Sequence, residues 1–567
     1  MEAIRVAHDE VFLQLEQPQR AHLLNDVRGL GHHAHVVDKD ADDAVRPTEA
    51  TPLVLRAGHQ RVEIDDDVDL LKLGEQLRQI ERDALDTDSR TPLRQLWKEE
   101  AANLLKLSIP VTLALMLEIL PPILVSMMIG NVSGDASPQV LAGSSLSDFF
   151  QGQITSSLLM GLGAAVATLC AQSYGADQPR QFWIFAQAGL LASLYCLPPL
   201  AVVSVNGASL MTALGQEQEL AHVAGVLITV SLFSVPFQMI YMVARSALQA
   251  QNIAVPFVLV SLLSYMVSLP IGYYLGYHTS LGYVGIALSN IIANVLRAAS
   301  VGPILLRNPL FRQSWPGWQW HDAHACVKRF WPFIGGSVLL IVFQSAGIYA
   351  ISVLCGYLPH AAVVMTSSNI ASGLLSLGFL PMMGLAAGGT VRVGNALGAG
   401  APRRASVASL VVVTESLVIS LAGMAMMHGA AAPYAAAFTS DDATLALSVQ
   451  LTEHLIKLVP ISAWIFATQS VFQACGAQWL CAKLNFLFMF AIGVPLGLVW
   501  ALPWHGGVYG LWNGNMVAGA TLVAVSIAWV ARVDWPAMAH EARCNAHLHI
   551  DREPSAEASI QISTVDG

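Results

Sequence analysis

Two segments of the chain are near copies: residues 172–180 read QSYGADQPR and residues 395–403 read NALGAGAPR. Gly175 and Gly398 stand 223 apart, and other landmarks keep that spacing. Pro236…Gln249-Ala250 returns as Pro460…Gln473-Ala474 at an offset of 224. Pro270-x-Gly272 returns as Pro495-x-Gly497, and Gly282-x-x-Gly285…Asn290 as Gly507-x-x-Gly510…Asn515, both at 225. Matches in constant order at one spacing mark duplication of a unit of roughly 200 residues or more, and such periods reveal architecture before any motif does.

Charge decides what kind of unit was doubled. Only 12% of residues are charged and 54% are hydrophobic, against about 25% charged in soluble domains. Residues 104–531 hold 11 Asp/Glu and 13 Lys/Arg, whereas residues 1–103 alone hold 22 and 13. The middle of the chain is therefore no soluble domain. It divides into twelve apolar stretches: 104–129, 143–171, 181–205, 220–246, 253–276, 281–306, 330–355, 361–391, 404–428, 446–473, 480–502 and 507–531. Most are long enough to cross a bilayer core, which takes about 20 helical residues. They are continuous runs, not the alternating pattern of membrane strands. The expected fold is all-α and membrane-embedded, with twelve transmembrane helices in two pseudo-symmetric six-helix lobes.

Loop charges give an orientation. Basic residues fall at every second connection: Arg180; Arg245; Arg297, Arg307, Arg312, Lys328 and Arg329; Arg392, Arg403 and Arg404; Lys483; Arg532. The intervening loops hold none, so both termini are expected in the cytoplasm. An even number of spans per repeat points both halves the same way, about an axis along the membrane normal. The expected division is a polar, disordered cytoplasmic tail over 1–96, lobes over 97–315 and 316–532, and a cytoplasmic tail over 533–567. Residues 1–30 lack the apolar core of a cleavable signal peptide. The patch His32-His33-Ala34-His35 suggests no ligand cage, and the seven cysteines form no CxxC pair and read as packing residues. No metal, cofactor or nucleic-acid partner is expected.

The segments 168–176 (TLCAQSYGA), 245–251 (RSALQAQ), 391–400 (VRVGNALGAG) and 472–476 (FQACG) resemble signatures of the multidrug and toxic compound extrusion family, in its eukaryotic-type branch. The resemblance covers roughly residues 97–532. It implies a two-lobed, twelve-helix antiporter in a plasma or organelle membrane, exchanging organic cations or related small molecules for protons, or for sodium in some members. The signature residues Gln172, Gly175, Arg245, Gln249, Arg392, Asn395 and Gly398 read as architecture. Gly175 and Gly398 suit left-handed helix caps and close backbone approach, and Arg245 and Arg392 suit anchors at inner helix ends.

Proton antiport needs a group that changes charge inside the membrane, where a charge costs about 2.5–3.5 kcal/mol on insertion scales. Glu118 is the leading candidate. It lies near mid-membrane, and Pro121-Pro122 deny it and Leu117 a hydrogen-bond donor, so a kink is expected there. Asp148, near the outer end of the second span, is the second coupling candidate, and Glu415 in the ninth span a weaker one. Family members carry an essential seventh-helix Glu; alignment back from residues 355–359 puts Gln344 there, with Tyr349 where a second Glu often stands. Gln344 and Tyr349 are thus expected to line the substrate cavity without titrating, and the acid to have moved to Glu118. The bacterial members' first-helix Asp aligns near Val125. Phe149, Phe150, Phe343 and Tyr349 could stack on planar cations. Lys457 is expected to snorkel outward or to pair with Glu453, four residues earlier.

Alternatives remain open: export or flipping of an anionic or lipid-linked metabolite, or a carrier that has lost transport. A membrane enzyme is disfavoured, since the chain has no HExxH, no paired intramembrane aspartates and no nucleophile with a His partner.

Overall fold

The fold is described from a computed structural model, over residues 53–57, 60–64 and 85–547, apart from 86–87, 133–136, 214 and 440. The His32–His35 patch lies outside these residues. Two units are distinct: Met1–Gln76 and Leu77–Gly567. In the first, strands β1 (Leu53–Ala57) and β2 (Gln60–Ile64) pair antiparallel, Leu53 opposite Ile64. That hairpin lies within the tail for which the sequence suggests no regular structure.

In the second unit the regular structure of the described residues is helical. Its spans are α1 (Leu93–Val132), α2 (Ser137–Phe150, a π-helical stretch Gln151–Ser156, then Ser157–Gly175) and α3 (Pro179–Val205). They continue with α4 (Gln218–Leu232 and Val235–Ala250), α5 (Val255–Tyr277) and α6 (Gly282–Arg307). The second set is α7 (Trp320–Cys355), α8 (Ala361–Gly398), α9 (Pro402–Ala436) and α10 (Asp442–Leu455 and Leu458–Ala474). It closes with α11 (Gln478–Asn485, a π-helical stretch Phe486–Ile492, then Gly493–Ala501) and α12 (Gly507–Val530). Among the described residues, ten helices are long and apolar enough to span a membrane, and two bent pairs raise the number to twelve.

The bends show how sequence makes the symmetry. α4 turns by 52° and α10 by 49° at breaks just before Pro236 and Pro460. Neither proline can donate to the carbonyl four residues back, so the ladder opens at both repeats of the same place. Pro121-Pro122, by contrast, lie inside α1, which stays helical from Leu93 to Val132. The kink expected beside Glu118 therefore does not end the helix.

Helix α5 shows the inverted amphipathicity of a membrane bundle. Ser261, Ser264, Ser268, Gly272 and Gly276 face inward, while Leu259, Leu263, Met266 and Tyr274 face outward. Small and hydroxyl residues let backbones approach, and apolar ones suit lipid. The helical body extends past the expected lobe limits at both ends. Asp88 accepts hydrogen bonds from the backbone N–H groups of Arg403 and Arg404, capping α9. Helix α13 (Trp535–His547) packs Ala539 and Ala542 on α8 and α9, where a plain tail is expected.

Candidate functional site

Glu118 is not a lone acid. Arg245 on α4 donates through Nη1 to both carboxylate oxygens of Glu118, at 2.8 and 2.9 Å, and the Ser261 hydroxyl lies 3.4 Å from Oε1. The Arg245 side chain is 6% exposed and that of Glu118 21%. Arg245 therefore reaches into the bundle and does not anchor a helix end at the interface, which corrects its expected role. Tyr241 continues the chain of contacts, its hydroxyl 3.3 Å from Ser261. Arg297 on α6 stacks beside Tyr241 and Tyr265, its Cζ 5.6 and 4.5 Å from their ring centres. Arg297 is buried too, although its charge read as a loop charge in the sequence. Between α1, α4, α5 and α6 the lobe encloses two guanidinium groups around one carboxylate.

The second lobe holds nothing comparable at the equivalent place. At the repeat offsets, Tyr241 maps to Ile465, Tyr265 to Met489 and Arg297 to Leu522. These three, with Val523, form an apolar cluster. Arg245 maps to Gln469 and Ser261 to Asn485, and Gln469 donates to Asn485 at 3.3 Å. A neutral hydrogen bond occupies the position of the ion pair.

A second group of polar residues lines α2 and α7. Asp148 accepts from Ser126 at 3.4 Å. Phe149 and Tyr349 meet edge to face, with centroids 4.9 Å apart, and Ser345 lies 3.3 Å from Gln153. Gln153 belongs to the π-helical stretch of α2, a local widening that recurs at functional sites. Gln344 is half-buried in α7 next to Ser345, and its amide makes no hydrogen bond among the described residues.

The repeated phrases form a reciprocal seam between the lobes. Gln172 donates to the Ala474 carbonyl at 2.9 Å, and Asn395 donates to the Ala250 carbonyl at 3.3 Å. A Cβ on Gly175 would overlap the Asn395 carbonyl, and one on Gly398 would overlap the Gln172 carbonyl. Both glycines are helical; the left-handed residues come two positions later, at Asp177 and Gly400. Close approach, not a left-handed cap, is thus what the glycines supply. Gln249 is buried beside the seam on α4. Farther out, Arg392 binds both oxygens of Glu100 at 2.8 Å, and Arg404 pairs with Glu99 at 2.6 Å and Glu100 at 3.3 Å. Arg392 thus joins the first turns of α1 to α8.

A family model described as MatE matches residues 110–274 and 337–499, once in each half. The chain belongs to the MATE family. Among curated relatives, rabbit (Oryctolagus cuniculus) multidrug and toxin extrusion protein 1 is 24% identical over 70% of this chain and 70% of its own. Arabidopsis thaliana protein DETOXIFICATION 37 is 24% identical over 70% of this chain and 79% of its own. The crystal structure of the eukaryotic MATE transporter AtDTX14 superposes with a TM-score of 0.74 at 20% identity, covering 80% of this chain and all of that one. The chain is accordingly a multi-pass membrane transporter with the twelve-helix, two-lobed MATE architecture.

Within that architecture several expected contacts fall elsewhere. Glu453 pairs with His428, 2.8 Å from its Nδ1, and not with Lys457, which sits exposed at the bend of α10. Phe150 is buried against Met211 and Ile228, and Phe343 packs on Phe486, so neither is a free stacking platform. Glu415 is half-buried, with Oε2 enclosed and unpartnered. Val125 is a core residue. Cys170, Cys196, Cys326, Cys355 and Cys481 are buried packing residues. Sequence reasoning missed Tyr241, Tyr265 and Arg297 as site residues. The available signal was that Arg297 lies ten residues before Arg307, inside an apolar stretch.

Proposed function

We propose that the protein is a secondary antiporter that exports organic cations in exchange for protons by alternating access between its two lobes. One observation carries this reading: α1 bears both Glu118, inside the first lobe, and Glu100, in the seam between lobes. Eighteen residues separate them in sequence, about 27 Å along a helix. Protonating Glu118 removes the partner of Arg245 and leaves two buried guanidinium groups uncompensated, a costly state in low dielectric. Shifting α1 relieves it and carries Glu100 away from Arg392 and Arg404, so a proton event is linked to opening of the seam. The closed seam lies at the end of the bundle rich in basic residues, taken as cytoplasmic, so this state faces outward with both termini inside.

A cationic cargo does not suit the arginine-rich interior of the first lobe. It suits the surface around α2, where Asp148 supplies charge on the side of α1 and Phe149 and Tyr349 supply aromatic faces between α2 and α7, with Gln344 on α7 as a neutral contact. The test is uptake of tetraethylammonium into proteoliposomes under an imposed proton gradient. Wild type accumulates it, and Asp148→Asn raises the half-saturating concentration without abolishing gradient dependence. Uptake driven by sodium at constant pH, with no response to protons, defeats the proton assignment.

A further inference from the structure

The first lobe contains more positive than negative charge at its centre, and one edge of one arginine is unused. Arg297 is 7% exposed; its Nη1 donates to Asn294 at 3.3 Å and its guanidinium lies against Tyr265, while its buried Nε and Nη2 have no hydrogen-bond partner among the described residues. Those two nitrogens form the side-on fork of a guanidinium, two parallel N–H groups matched to a halide ion or the two oxygens of a carboxylate. On α5, packed against α6, the Ser268 hydroxyl is likewise buried and unpartnered. Glu118 cannot serve as the missing anion, because both of its oxygens are engaged by Arg245. Nor does the fold require a cation here, since Leu522 fills the equivalent position of the second lobe within an apolar cluster. An arginine kept where leucine suffices, with a free fork and aromatic walls, is the arrangement of a small anion site.

We propose that the first lobe binds a monovalent anion, a halide or a carboxylate group, against the Nε–Nη2 edge of Arg297. The anion restores neutrality to the cluster of Glu118, Arg245 and Arg297. A free ion and a carboxylate borne by a larger molecule share this chemistry. The site does not depend on the antiport reading, because its test needs no transport.

The experiment is thermal unfolding of the full-length protein in nanodiscs, with 2-(N-morpholino)ethanesulfonate as a bulky reference anion at constant ionic strength. Chloride or acetate replaces the reference stepwise. A saturable rise in Tm is expected, with chloride alone for a halide site and with acetate also for a carboxylate site. Arg297→Gln abolishes the response and raises Tm in the reference salt, because an uncompensated buried charge is gone. Arg297→Lys keeps a weaker response, requiring several-fold more anion. No saturable response to either anion in wild type, or an equal response in Arg297→Gln, overturns the proposal.

Discussion

Between α1, α4, α5 and α6 the first lobe encloses Glu118, Arg245, Arg297, Tyr241 and Tyr265, whereas the matching space in the second encloses Ile465, Met489 and Leu522. The two lobes share their bends, their seam glycines and their crossed amide contacts. Gly161 on α2 meets Val338 of α7 as Gly384 on α8 meets Thr112 of α1. Backbone geometry was thus retained through the duplication while the interiors diverged. A bilayer-embedded fold needs small residues where helices cross, but it needs no buried charge. The charges of the first lobe are therefore the part that calls for a functional explanation.

The largest effect should come from breaking that charge balance. Glu118→Ala strands Arg245 and is expected to cost about 3–5 kcal/mol of stability. Gln344→Leu in the second lobe, where no hydrogen bond is lost, should cost under about 1 kcal/mol. Denaturation in mixed micelles compares them, and near-equal costs would erase the distinction between the lobes. The double variant Glu118→Gln/Arg245→Gln, which puts a neutral amide at 245 as Gln469 does in the second lobe, should recover most of the loss.

The seam repeats the lesson more mildly. Glu100, 1% exposed, faces Arg392 and Arg404, while its repeat partner Asp322 lies 4.0 Å from a well-exposed Arg180. Glu100→Gln should cost about 2–3 kcal/mol, and Asp322→Asn less than about 0.5 kcal/mol. Cysteine accessibility at the basic end should rise only for the former. Gly175→Ala and Gly398→Ala, by contrast, should behave alike. Each drives a methyl group into a carbonyl of the other lobe, at about 1–3 kcal/mol, and opens the seam in the same labelling assay. A large effect at one glycine and none at the other would break the symmetry.

The duplication, the twelve spans and the seam were legible because they rest on local chemistry: apolar length, prolines and glycines at a constant offset. The ion pair was not, because Arg245 and Glu118 are 127 residues apart and a loop-charge count treats any arginine near a helix end as facing water. Glu453 misled for a related reason. Its i+4 lysine lies at the bend of α10, where helical spacing no longer brings the two together, and His428 takes its place. The role of α13 was hidden by its short, polar composition.

The smallest expected effect concerns that helix. Glu541 borders a cavity of ≈ 40 Å³ shared with Gln172, Cys475 and Asn545, and burial pushes its carboxyl above the ordinary range. A raised folded-state value means α13 is held best at low pH and loosens as pH rises through that value. Glu541→Gln should slow proteolysis of the C-terminal helix at neutral pH and make no difference in acid. An identical gain in acid would assign the effect to shape and not to charge.

Under the proposed function, proton coupling resides in the charged interior of the first lobe while the cargo binds elsewhere. The direct measurement is tetraethylammonium transport by Glu118→Gln/Arg245→Gln in proteoliposomes, followed both as cargo-for-cargo exchange without a gradient and as uptake driven by a proton gradient. Exchange is expected to persist and gradient-driven accumulation to be lost. Full gradient-driven accumulation by the double variant would move proton coupling out of the first lobe's charged interior.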